Sequence, residues 1–411
     1  MDCLDDFCTA PAPFQAVNVA ENIYWVGAID WAIRDFHGYL TERGTTYNAY
    51  LILAEKVTLI DTVKAPFRKE MMARIASVID PRKIDYIVSN HAEMDHSGCL
   101  PEVIRAVQPE KVFASQLGVK ALTDHFHLPD EIIAVNDGET LSLGNRTLSF
   151  LETRMVHWPD SMFSYLLEDG VLFSNDGFGM HLASTARFDD EIARDVLVQQ
   201  AAKYYANILL PFSHIIAKLL EKVSSLKLDI KLIAPDHGPI WRDDRETILK
   251  LYADWAAQRR TNTAVIVYDT MWQSTAKMAR AVAEGLTAGG TQARLMPLGA
   301  SHRSDVATAI LDAGALLVGT PTLNNNLFPT VADVMTYLKG LKPHNLLGAV
   351  FGSFGWSGEG VGQVREMLTA MNVELIGDSV RHKYVPDHAA LQQCFALGQQ
   401  VAAALQRTVH Q

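Results

Sequence analysis

The sequence predicts an α/β protein of two domains: a sandwich of two sheets with helices outside, followed by a doubly wound sheet. Three observations carry that expectation. The chain has 411 residues, beyond the size at which one core usually keeps growing. Short β-rich runs alternate with helical stretches along its whole length. Near 256–263 the pattern switches from the polar-faced helical stretch ending at Arg259-Arg260 to the continuous apolar run 263–268. The domains are therefore expected at 1–258 and 262–411.

In the first domain, β-branched and aromatic runs bounded by turn residues predict strands over 50–53, 57–61, 86–89, 112–114, 147–152, 164–167, 171–174 and 232–235. Helices are expected near 68–79, 100–107, 116–124, 188–205 and 212–227. Hairpins such as Glu168-Asp169-Gly170 argue for two packed sheets. In the second domain the strand at 263–268 precedes a helix whose Met278, Val282 and Leu286 recur on one face. Strands at 315–319 and 347–351 follow, each ending in a polar loop.

Composition fits a large soluble enzyme, with 48% hydrophobic residues. The start, Met1-Asp2-Cys3-Leu4-Asp5-Asp6, is acidic where a targeting peptide would be basic, and no apolar run is long enough to span a bilayer. A cytoplasmic protein without a membrane partner is expected. Residues 1–260 hold 26 Lys+Arg against 37 Asp+Glu, and 261–411 hold 10 against 10. Such a balance excludes nucleic acid as a partner class. Cys3, Cys8, Cys99 and Cys394 form neither a disulfide framework nor a metal knuckle, so reduced thiols are expected, with Cys99 in the core.

Chemistry concentrates in His91, Glu93, Asp95, His96, His157, Asp176 and His237, four imidazoles and three carboxylates that could close around two metal ions. Each falls at or near a predicted strand end. Alternation along an extended segment would point His91, Glu93 and Asp95 one way, with a turn at Asp95-His96. Mixed imidazole and carboxylate ligands without Cys suit iron, manganese or zinc. Glu93 adds an anionic oxygen where a zinc hydrolase would place a second His, and that favours redox-cycling iron.

The second domain suggests a flat ring with a phosphate tail. Thr270, Met271, Trp272, Gln273, Ser274 and Thr275 follow the first strand and offer hydroxyls and a helix N-terminus to a phosphate. Neither a Gly-Lys triphosphate loop nor a Gly-x-Gly-x-x-Gly signature is present. Pro321, Thr322, Leu323, Asn324 and Asn325 follow the next, and Ser353, Phe354, Gly355, Trp356, Ser357 and Gly358 the one after. Three such loops at the carboxyl ends of parallel strands fit FMN.

Taken together, these motifs make the chain resemble the flavodiiron proteins, a metallo-β-lactamase-like αββα domain fused to a flavodoxin-like domain. Further pieces carrying the resemblance are Asp35-Phe36-His37-Gly38-Tyr39, Gly44-Thr45-Thr46-Tyr47-Asn48-Ala49-Tyr50, Lys203-Tyr204-Tyr205-Ala206-Asn207 and Val267-Tyr268-Asp269-Thr270-Met271-Trp272. The resemblance implies one iron on His91, Glu93 and His157, another on Asp95, His96 and His237, and Asp176 bridging. In some members the residue matching His96 does not ligate. It also implies that Tyr205 donates a hydrogen bond beside the metals, with His37 and His181 as weaker candidates for that part.

The implied activity is reduction of O₂ to water, NO to N₂O, or both, at the diiron site, with FMN passing electrons. A domain of about 260 residues has a radius of gyration of roughly 18 Å, so a flavin at the far side of its own chain would lie too far from the irons for fast electron transfer. A head-to-tail homodimer, or a dimer of dimers, resolves this, and the resemblance implies the same. No C-terminal Cys-x-x-Cys pair is present, so a separate rubredoxin or reductase is the expected donor. The alternatives are a zinc-dependent hydrolase carrying a flavodoxin-like domain and a non-catalytic redox or gas sensor.

Overall fold

The computed structural model describes residues 13–127 and 132–409. Cys3, Cys8 and His410 lie outside them. Contacts divide the chain into two compact units that interleave in sequence. One gathers the residues up to His37, Thr41–Tyr204 and His214–Tyr252; the other gathers Gly38–Leu40, Tyr205–Ser213 and the residues from Ala253 onward.

The first unit has two main sheets. A seven-stranded one runs in the order Val17–Ala20, Ile23–Trp25, Tyr50–Ile52, Thr58–Ile60, Tyr86–Ser89, Lys111–Ser115, Ile132–Val135. A five-stranded one runs Thr140–Ser142, Thr147–Glu152, Met162–Leu166, Val171–Phe173, Leu232–Ala234. Pleating sorts the central strands onto two cores. Leu51, Leu59 and Ile87 point into a cluster with Met71, Ile75, Val103 and Leu122. Their neighbours Tyr50, Ile52, Ile60 and Val88 meet Leu148, Phe150, Leu166 and Phe173 of the second sheet. Burial on both faces explains why these strands read as continuous apolar runs.

Sequence periodicity missed the short strands 17–20, 23–25, 132–135 and 140–142, each only three or four residues long and so at or below the shortest run that signals a strand. The helix expected over 188–205 begins with a short 3-10 turn, Asp189–Glu191, then runs regularly over Arg194–Tyr204, and a π-helical stretch takes over at Tyr205–Leu209.

The second unit's sheet has the order Gln292–Pro297, Thr263–Tyr268, Ala315–Gly319, Leu347–Phe354, with Glu374–Leu375 and Val380–Lys383 both pairing parallel to the last. The order is 2-1-3-4-5, so the direction of winding reverses between the first and third strands. Met278, Val282 and Leu286 are fully buried against the sheet, beside Leu397 and Val401 of the helix His388–Val409. Gly285 and Gly398 let those two helices touch: a Cβ on either would sit 2.0 or 2.2 Å from the other's backbone carbonyl.

Candidate metal centre and strand-end pocket

In the first unit, parallel strands deliver most of the metal-binding set. Tyr86–Ser89 ends just before His91, Val171–Phe173 ends before Asp176, and Leu232–Ala234, parallel to the latter, ends before His237. Asp61, past the end of Thr58–Ile60, accepts both the backbone and the side-chain N–H of Asn90 at 2.7 Å. Ser164 donates to the Asn90 side-chain oxygen at 2.6 Å. These buried bonds pin the turn into His91 between the two sheets.

After Ala92 the backbone departs from the expected extended run. Met94–Ser97 is a helical turn, closed by Ser97 and Gly98 N–H groups on Glu93 and Met94 carbonyls and by the Ser97 hydroxyl on Ala92 and Glu93. The turn comes earlier than alternation predicts, so Asp95 faces away from Glu93's group. Two sets result: His91, Glu93, His157 and Asp176 in one, Asp95, His96 and His237 in the other.

Every imidazole presents Nε2. Asp176 Oδ2 lies 3.4 Å from His91 and 3.2 Å from His157, whereas its Oδ1 lies 3.3 Å from His96 and 3.4 Å from His237. Glu93 Oε2 is 3.3 and 3.2 Å from His91 and His157. Asp95 gives one oxygen to His96 at 3.4 Å and the other to His237 at 3.2 Å. Ligands about 2.1 Å from a shared ion stand about 3.0–3.4 Å apart at ordinary coordination angles, so both sets have the spacing of ligands sharing an ion.

The chemistry of the donors agrees. Both Asp95 oxygens, Asp176 Oδ2 and His96 Nε2 are buried without a hydrogen bond, a cost of about 1–3 kcal/mol per group unless something else engages them. Burial would lower the His91 imidazole, but Asp160, Glu93 and Asp176 outweigh it and lift it to about 10. Burial would conversely raise Asp176, yet His96 and His157 hold it well below the carboxylate range. The cluster demands compensating positive charge, which two bound metal ions would supply.

Tyr205 corrects the sequence reading. Its hydroxyl shares a hydrogen with Ser213 Oγ at 3.1 Å and its ring packs on Trp255. The preceding residue does what was expected of it: Tyr204 donates to Asp176 Oδ1 at 2.8 Å. Consecutive helical side chains diverge by about 100°, so only one of the pair can face the carboxylate. His37 is mostly exposed with Nε2 3.4 Å from Glu93, and buried His181 pairs through Nδ1 with Thr45 Oγ1 at 2.9 Å. Sequence reasoning also missed Asp160, Asp236 and the Thr46 carbonyl, which stand behind the imidazoles. Asp160 and Asp236 had a signal, each being an acidic residue beside an apolar strand and within three residues of a chosen His.

In the second unit, a cavity of about 490 Å³ opens at the carboxyl ends of the strands, within the range of small-molecule sites. It is lined by Met271, Trp272, Ser274, Pro321, Thr322, Leu323, Asn324, Asn325, Ser353, Phe354, Gly355, Trp356 and Ser357. Asn324 and Asn325 have φ of 50° and 65°, forming the tight turn of the hairpin between Thr322–Leu323 and Asn326–Leu327. Four expected residues lie off the lining. Thr275 binds Ser353 Oγ at 3.1 Å, Gln273 takes the left-handed conformation before helix Ser274–Ala288, Gly358 precedes helix Glu359–Ala370, and Thr270 stands at the loop's start.

Tyr384 and Val385 also line the cavity. They follow the strand Val380–Lys383, too polar to stand out in the sequence, whose pairing with Phe351–Phe354 carries its end to the same edge. FMN fits these parts. The first N–H groups of Ser274–Ala288 have no side-chain cap, the buried Thr270 hydroxyl has no partner, and exposed Trp272 and Trp356 offer faces to a ring.

Residues 45–238 match the model of the ODP family beta lactamases, and residues 266–398 that of the flavodoxins. The chain is 46% identical to the nitric oxide reductase of Moorella thermoacetica over 395 residues, 95% of this chain and 99% of that one. It superposes on the rubredoxin oxygen:oxidoreductase of Desulfovibrio gigas with a TM-score of 0.95 at 47% identity, covering 97% of this chain and all of the other. The flavodiiron protein of Giardia intestinalis gives 0.93 at 33% identity, covering 98% and 99%. The chain belongs to the flavodiiron protein family.

Proposed function

We propose that this protein is an oxidoreductase that reduces O₂ to water, NO to N₂O, or both, at a non-haem diiron site served by FMN. The observation that carries the reading is Asp176, whose two oxygens divide between two sets of imidazoles. When bound, the irons and the flavin would supply the electrons, four per O₂ or two per pair of NO molecules. His91, Glu93 and His157 would hold one iron and Asp95, His96 and His237 the other, with Asp176 facing both sets. Tyr204 holds the spanning carboxylate in place through Oδ1. The loops 270–275, 321–325 and 353–358 hold FMN.

Electrons come from a separate rubredoxin-type protein or a reductase. The working form is a head-to-tail homodimer, or a dimer of dimers, in the cytoplasm, with no membrane or nucleic-acid partner. Among the described residues no helix is long and apolar enough to cross a membrane.

Parallel anaerobic NO-consumption and O₂-uptake assays on reduced protein, with metal analysis, test the reading. Two irons per chain and turnover of at least one gas are expected. Bound zinc with ester cleavage and no gas turnover would establish the hydrolase instead. Iron retained without turnover of either gas would leave a sensor.

A further inference from the structure

One loop serves two of the histidines. Between the strands Thr147–Glu152 and Met162–Leu166 it carries His157 and, three residues on, Asp160, which is 3% exposed. Asp160 Oδ2 accepts the Ala92 N–H at 2.6 Å and pairs with His91 Nδ1 at 3.1 Å. The Ser115 hydroxyl donates to the Asp160 carbonyl at 2.7 Å. The loop is closed on itself by Thr153 N–H on the Ser161 carbonyl and Met155 N–H on that of Trp158, and the Trp158 ring stands edge-on to His91 at 5.2 Å. His157 and the partner of His91 thus sit on one internally hydrogen-bonded loop.

The other set is backed differently. His237 Nδ1 donates to the Thr46 carbonyl at 2.6 Å. His96 Nδ1 lies 3.4 Å from Asp236 and makes no hydrogen bond. A carboxylate behind an imidazole fixes its tautomer and raises the basicity of the opposite nitrogen. A neutral carbonyl also fixes the tautomer but adds no charge.

The geometry points to Asp160 as a positioning residue that makes the His91, Glu93, His157 position the tighter of the two, so that iron fills it first and leaves it last. This inference rests on the diiron reading. It is tested by stripping the full-length, FMN-loaded protein of iron and titrating it anaerobically with ⁵⁷Fe(II), following bound iron and the Mössbauer doublets. Wild type is expected to fill in two steps. Asp160→Ala weakens the first step about 10- to 100-fold and leaves the second within about twofold, whereas Asp95→Ala weakens the second.

Asp160→Asn keeps an oxygen able to accept both hydrogen bonds but loses the charge. It is expected to fold as wild type and weaken the first step about tenfold, and it decides the matter if the alanine variant does not fold. Simultaneous filling in wild type, an Asn variant with an unchanged first step, or equal weakening of both steps overturns the proposal. A wild-type chain that binds no iron at all refutes the diiron reading instead.

Discussion

The metal cluster and the strand-end pocket are built on opposite principles. The cluster is made of charged side chains in the interior, with His91, His96, Asp176 and His237 each 1% exposed. The pocket is made of loop backbone, hydroxyls and rings at the surface, with Trp272 89% and Trp356 82% exposed. Buried charges hold only as a compensated set, because removing one partner strands the rest at a cost of several kcal/mol. Surface contacts to a flavin are separate increments. Removing the carboxylate common to both sets is therefore expected to act nearly all-or-none, and single substitutions at the pocket by degrees.

Asp176→Ala is the hardest test of the first half of that contrast and should have the largest effect. It removes the one carboxylate shared by both sets, so the protein as purified is expected to lose both irons and at least about 100-fold of its turnover, with FMN retained. Metal analysis beside flavin absorbance reads the result. A variant that keeps two irons would mean that the two sets are independent sites.

At the pocket the largest expected effect comes from the frame. A Cβ at Gly352 would meet the Thr320 carbonyl at 2.0 Å, and neither backbone can move without spreading the strands that carry two loops of the pocket. Gly352→Ala is expected to lower stability by about 1–3 kcal/mol and to weaken FMN binding without abolishing it, while iron stays. Thermal melts with and without added FMN check it, and coupled loss of iron would contradict separate construction.

The same contrast explains what was legible in the sequence. All seven metal-binding candidates stood out because buried charge tolerates few residue types, and the structure brings them into two adjacent sets. Their backing was legible only in part: Asp160 and Asp236 lie within three residues of a candidate ligand, but which imidazole each backs was not. Asp160 reaches His91 across 69 positions, and the Thr46 carbonyl reaches His237 across 191, distances that no local pattern spans. The doubly wound class followed from the apolar runs 263–268, 315–319 and 347–351, but the strands Gln292–Pro297 and Val380–Lys383, with their polar and exposed residues, did not stand out, so Tyr384 and Val385 were missed. Choosing Tyr205 over Tyr204 was an error of one residue in helical phase, at the point where α-helix gives way to π-helix.

That error leads to an intermediate test. Tyr204→Phe removes a hydrogen bond to a buried carboxylate, about 1.5–3 kcal/mol, so iron should leave to a chelator about 10- to 100-fold faster. Tyr205→Phe removes a neutral bond to Ser213, about 0.5–1.5 kcal/mol, and should lower the melting temperature without changing the rate of iron loss. If the two variants changed places, the assignment of the tyrosine beside Asp176 would be reversed.

The smallest effects are expected at the pocket rim. Trp272 and Trp356 lie on different loops, and an aromatic contact with a flat ring contributes about 0.5–1.5 kcal/mol beyond the area it covers. Trp272→Ala and Trp356→Ala should each raise the Kd for FMN about 2- to 13-fold, read by recovery of flavin fluorescence on dissociation. A single variant that lost FMN altogether would show a pocket as cooperative as the metal cluster, and the contrast between the two sites would then lie in their exposure alone.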